Sequence, residues 1–265
     1  MNVESETETT RVASGSVMAK MLWRDRLTIG TALAAISALA WLYLVRMPMA
    51  PADFGSPAAH LLAALPPRWA DAWIIFMMWA VMMVAMMLPS ASPMVLSYAR
   101  IARGRADTPG YAIWLFAGGY LLVWTVFSAF ATAGQLALDK ASLLYGPTRA
   151  TPIIGAILLA LAGIYQLTPL KNACLGHCRS PIGFFMTEWR GGASGALTMG
   201  IKHGSFCLGC CWILMGLLFV FGVMNLLWVA VLSGLVLIEK VAPFGRAIAR
   251  VSGVLMITGA VALAL

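Results

Sequence analysis

From Gly204 to Ile238 the chain carries no charged residue. As one helix that run would be roughly 52 Å long, against a bilayer core of about 30 Å. A soluble domain has no place for so long an uncharged stretch. A lipid-exposed chain must satisfy its backbone groups internally, so helices are its natural form. Composition extends the argument to the whole chain. Of 265 residues, 61% are hydrophobic and only 11% charged. A soluble domain carries about 25% charged residues. The chain is too apolar for disorder. Its 5 Cys are an odd count in a long chain, which does not suit a disulfide scaffold. An all-α, polytopic transmembrane bundle remains.

Cutting the long run near Gly222–Asn225 gives a helical hairpin. The spans are then expected at about 27–45, 72–88, 111–133, 150–168, 203–222, 224–239 and 247–265. The second ends at Pro89. The seventh is the shortest in reach, because Arg250 interrupts it; the count is therefore six or seven. Residues 1–20 are polar and read as a disordered tail, and 21–265 as a single membrane domain. The first span begins late and lacks a clear cleavage site, unlike a signal peptide. The long connections, about 46–71 and 169–200, are too short for a soluble domain.

Basic residues orient this scheme. Alternating the loops places thirteen Lys and Arg on the side of the N-terminus and four (Arg46, Arg68, Lys140, Arg149) on the other, with Lys202 at a boundary. By the positive-inside rule the N-terminus is cytoplasmic. The net charge of +8 thus belongs to the lipid bilayer partner, with no nucleic acid implied. The expected location is a bacterial inner (plasma) membrane.

Chemistry concentrates between residues 174 and 211. All five cysteines lie there, with His177 and His203. Cys174, His177 and Cys178 are spaced i, i+3, i+4, and so are Cys207, Cys210 and Cys211. Helical spacing puts each trio on one face. Met199 and His203 precede Cys207 by two turns and one, so five soft or borderline ligands share an arc of roughly 120°. Cysteine also packs as a small hydrophobe, so a purely structural role is the bland alternative. A second feature is Met77–Met87, which holds six of the 17 Met. Met78, Met82 and Met86 form one helical stripe, Met83 and Met87 another. Methionine is a common core filler, but thioether sulfur also favours Cu(I).

Thiolates with imidazole suit zinc, Cu(I) and iron–sulfur clusters. The spacings match no common iron–sulfur pattern, and zinc has no use for methionine. Copper as Cu(I) is the first choice and zinc the second. Cytoplasmic thiols stay reduced, which favours metal over a disulfide. Cys207-Leu-Gly-Cys210 is also a C-x-x-C, so a membrane thiol–disulfide oxidoreductase is the alternative. No hydrolase or nucleotide-binding signature occurs. Only Glu239 brings a carboxylate into a span, and Glu239–Lys240 is expected to pair at the cytoplasmic interface. Without an ATPase or a carboxylate relay, the expected role is copper handling or delivery. A soluble metal carrier or a copper-enzyme client would be the partner.

Several segments resemble a family of predicted metal-binding integral membrane proteins, catalogued as a domain of unknown function and described as copper-chaperone-like. They are Tyr165–Pro181 with its Cys-Leu-Gly-His-Cys core, Gly200–Trp212, Gly222–Asn225, Glu239–Lys240 and the Met-rich span ending at Pro89. The resemblance covers roughly residues 70–255. It implies a polytopic membrane protein whose signature positions are Cys174, Cys178, His203, Cys207, Cys210 and Cys211.

Overall fold

A computed structural model describes residues 26–46, 67–141, 143–145 and 149–264. The expected disordered tail lies outside these residues. The described chain is an all-α bundle with one two-residue antiparallel pair, β1 (Leu144–Tyr145) and β2 (Arg149–Ala150). Its helices are α1 (Arg26–Arg46), α2 (Pro67–Ala102), α3 (Ala112–Lys140), α4 (Pro152–Leu167) and α5 (Pro169–Arg179). They continue with α6 (Pro181–Glu188), α7 (Gly192–Gly216), α8 (Leu218–Phe221), α9 (Leu226–Val241) and α10 (Gly245–Ala264). Five helices among the described residues are long and apolar enough to cross a membrane, or six if the bent pair α4–α5 is one span. The expectation was six or seven. Six meets the lower expected count; the expected span 224–239 is α9, whose 16 residues are fewer than the ~20 a crossing needs, and the 16-residue α4 reaches that length only together with α5.

Helix α2 corrects the expected stop at Pro89. It runs on for another three turns, with Pro89 and Pro93 inside it. A proline frees the carbonyl four residues earlier. For Pro89 that carbonyl is Ala85 O, and Trp41 Nε1 on α1 donates to it at 3.1 Å. For Pro93 it is Pro89 O, and Ser92 Oγ donates to it at 2.8 Å. With both freed groups satisfied, the helix has no reason to end there.

The expected connection 169–200 is likewise mostly helix. Pro169 cannot bond back into α4, and the chain bends by 65° at Thr168. Thr168 Oγ1 both donates to Tyr165 O and accepts from Lys171 N, closing one helix and capping the next. Ser180 and Pro181 repeat the device for α6, with Ser180 Oγ accepting from Gly183 N. The uncharged run breaks where glycine permits it. Gly222 takes φ +97°, a left-handed conformation open to glycine. Asn225 Oδ1 then caps α9 by accepting from Leu227 N.

The bundle is centred on α3 and α7. A Cβ at Gly119 would sit 2.5 Å from Leu197 O, and one at Gly200 would collide with the Phe116 backbone. These glycines let the two backbones nearly touch, as small residues do in membrane bundles. Against this pair pack α2 and α5, while α4 packs on α10.

Candidate metal centre

The inward face of α7 carries Met199, His203, Cys207, Cys210 and Cys211, all buried. This is the arc the spacing predicts. The three cysteine sulfurs lie within 4.8 Å of one another. All five cysteines are free thiols. Cys210 and Cys211 direct their thiols to Cys207 O, at 3.1 and 3.0 Å.

Five other helices close on this group. From α5, Cys174 and Cys178 pack against the core that holds the three thiols. Cys174 lies against Gly209, where a Cβ would meet its sulfur at 2.9 Å. Gly209 is thus the gap through which α5 reaches α7, and Tyr165 of α4 donates to the same Gly209 carbonyl. From α9, Lys240 Nζ donates to Cys207 Sγ at 2.9 Å. From α3, the Tyr120 hydroxyl is 3.1 Å from Cys207 Sγ and donates to Met87 O at 3.1 Å. From α2, Ser90 Oγ accepts from Lys240 Nζ at 2.9 Å and itself donates to Met87 O.

His203 sits one turn before Cys207, outside the tight sulfur group. Its ring stacks with Tyr120 at 5.4 Å and Phe116 at 6.1 Å, and Phe184 meets it at a steep angle. Its Nδ1 is buried and has no hydrogen-bond partner among the described residues. A buried imidazole nitrogen with no partner is costly and suits a ligand position. Met199 is half committed, because its sulfur accepts from Arg190 N at 3.3 Å. His177 behaves differently. It is exposed, and its ring stacks on Phe206 at 4.2 Å. The structure does not bring it into the thiol group.

The methionine stripes are buried. Met78, Met82, Met83, Met86 and Met87 share one core with Cys207, Cys210 and Cys211. The nearest linked point is Met87, whose carbonyl shares Tyr120 with Cys207.

The expected pairing of Glu239 with Lys240 does not form. Adjacent helical residues point about 100° apart, and each finds a different partner. Glu239 Oε2 pairs with Lys171 Nζ at 2.6 Å, both groups fully enclosed. Gln166 Nε2 donates to Glu239 Oε1 at 2.9 Å and to Ser252 Oγ at 2.8 Å, and Lys171 also donates to Gln166. Arg179 Nη1 caps the same turn by donating to Glu239 O at 2.5 Å. Lys240 instead faces the thiols.

Lys240, Tyr120 and Ser90 are the functional neighbours that spacing arguments miss. Each belongs to a different helix, so no local pattern marks them. The available signal was the Glu239–Lys240 pair that follows the uncharged run.

Three buried thiols, with an imidazole Nδ1 one turn away that has no partner among the described residues, form a soft-donor set, and a buried ammonium lies against it. Such a donor set fits Cu(I). Neither the curated proteins nor the solved structures hold a significant match to the chain. Residues 76–263 match the PpoB2 family, described as copper chaperone.

Proposed function

The chain belongs to the PpoB2 copper chaperone family, and from that premise we propose that it binds Cu(I) inside a membrane and passes it to a partner. The buried thiol group of Cys207, Cys210 and Cys211 is the observation that carries this reading. Thiolates of this group hold the cuprous ion. His203, with its free Nδ1, completes a low-coordinate site. Cys178 and Cys174 on α5 form the outer approach, because both are only half-buried. Met78, Met82 and Met86 supply weaker sulfur ligands from which an ion exchanges quickly. A soluble metal carrier or a copper enzyme awaiting its metal is the partner. The apolar helices are compatible with membrane insertion. The basic residues before α1 and those between α2 and α3 fall on one side in every count of the spans, which supports a cytoplasmic N-terminus.

The test is metal retention by the full-length protein purified under reducing conditions. Wild type retains Cu(I). Cys207→Ser with Cys210→Ser loses most of it while keeping its helical circular dichroism. Unchanged copper content in the double variant would place the metal elsewhere. Alkylation trapping in cells separates the thiol-exchange reading. Reduced, metal-protected thiols support copper handling, whereas a standing Cys207–Cys210 disulfide population would replace it.

A further inference from the structure

Copper handling at the Cys207 group leaves Lys240 without a task, and its surroundings give it one. Among the described residues the buried cations are Lys171 and Lys240. Lys171 is matched by Glu239. Lys240 meets Ser90 Oγ and Cys207 Sγ, each at 2.9 Å. No carboxylate lies among its partners in the described residues. Its positive charge is therefore enclosed next to the thiols and balanced only by what those sulfurs carry.

We infer that Lys240 is a specificity-determining residue that favours a monovalent soft cation over a divalent one at the Cys207 site. The inference rests on the metal-binding reading above and deepens it. A monovalent ion held by two thiolates is a complex with one net negative charge. The Lys240 ammonium cancels that charge at hydrogen-bond distance from one of the ligating sulfurs. A divalent ion on the same two thiolates is already neutral. Lys240 then remains an uncompensated cation in an apolar enclosure, which is strongly unfavourable. The divalent ion reaches balance only if the third thiol of the group, which stays neutral beside a monovalent ion, is ionised as well. Specificity here comes from a penalty on the wrong charge as much as from attraction to the right one. Softness cannot make this distinction by itself, because zinc and cadmium also accept thiolates. Tyr120 and Ser90 are neutral donors and acceptors that hold the ammonium and Cys207 in place without altering the count.

The experiment compares two soft ions that differ in charge, Ag(I) and Cd(II). Both are titrated into the full-length protein in lipid nanodiscs, in competition with dithiothreitol. Wild type is expected to prefer Ag(I) over Cd(II) by more than dithiothreitol itself does. Lys240→Met should cut that excess preference by about 100-fold, with Cd(II) binding held or improved. Lys240→Arg, which keeps the charge, should stay within a few-fold of wild type. An unchanged ratio in Lys240→Met, or equal loss of both ions, overturns the inference and reduces Lys240 to packing. If Lys240→Met does not fold, the wild-type comparison decides: no excess over dithiothreitol overturns the inference. A wild type that takes up neither Ag(I) nor Cu(I) overturns the metal-binding reading itself, and this inference with it. A wild type that binds Cu(I) without the charge preference overturns the inference alone.

Discussion

Glu239 and Lys240 are neighbours in sequence and buried to a similar degree, yet they sit in opposite kinds of surroundings. Around Glu239 every charge and polar group has a fixed protein partner: Lys171, Gln166, Ser252 and Arg179. That network ties α4, α5, α9 and α10 together and leaves nothing to bind. Around Lys240 the partners are a hydroxyl and a thiol, which leave room for a third party. A closed network holds a bundle in register; an open one makes a site. The distinction comes from partner inventory, since the two are buried alike and each carries a single charge, of opposite sign.

The largest expected effect breaks the closed side. Glu239→Gln leaves the Lys171 ammonium enclosed without a carboxylate, which costs about 3–5 kcal/mol of stability. A clear fall in thermal midpoint by intrinsic fluorescence measures it. Replacing both partners, Lys171→Met with Glu239→Leu, should recover most of the loss, because a neutral apolar pair removes the stranded charge. Copper affinity of the folded fraction should not move in either variant. If it falls in step with stability, the two halves of the turn are one unit and the contrast fails.

A smaller effect is expected on the open side. Tyr120→Phe removes the hydroxyl shared by Met87 O and Cys207 Sγ. The loss of one hydrogen bond is worth about 1 kcal/mol. The corresponding change in Cu(I) affinity is about fivefold, read by competition with a chromophoric chelator. A change in stability with no change in affinity would assign Tyr120 to the scaffold.

The smallest equilibrium effect belongs to the methionines. Converting Met78, Met82 and Met86 to Leu keeps volume nearly constant, so each change should cost under about 1.5 kcal/mol. Equilibrium copper content should stay the same, while metallation of the client slows. Full copper-dependent growth and full client metallation in the triple variant would make the stripe core packing alone.

These contrasts also mark what a reader of the sequence can and cannot see. The cysteine arc was legible, because i, i+3, i+4 spacing is a property of one helix, and α7 turns that arc inward. The break at Gly222–Asn225 was legible from the length limit on a crossing helix. Pro89 misled, because the rescue of its orphaned carbonyl comes from Trp41, more than forty positions away in the chain. Helix α5 was masked by its polar composition and α6 by its length of eight residues, although Thr168-Pro169 and Ser180-Pro181 are cap signals in plain view. His177 matched the ligand spacing of its trio as well as Cys174 and Cys178 do. Its position facing Phe206 depends on how α5 rolls against α7. Glu239 and Lys240 looked like a pair because they are adjacent, yet adjacency on a helix is what keeps them apart.

The enclosure of the α7 thiols has a kinetic side. Cys207, Cys210 and Cys211 are at most 2% exposed, so a bulky competing ligand cannot touch an ion seated among them. On the proposed reading, the residence time is governed by how often α5 and α7 part at their close contact of Cys174 with Gly209. Stripping by an external ligand should accelerate with concentration only up to a ceiling, and structurally different ligands should share that ceiling. A client that levers α5 outward would exceed it. On the proposed reading, departure of the ion becomes an event that the right partner triggers, even when other acceptors are in excess.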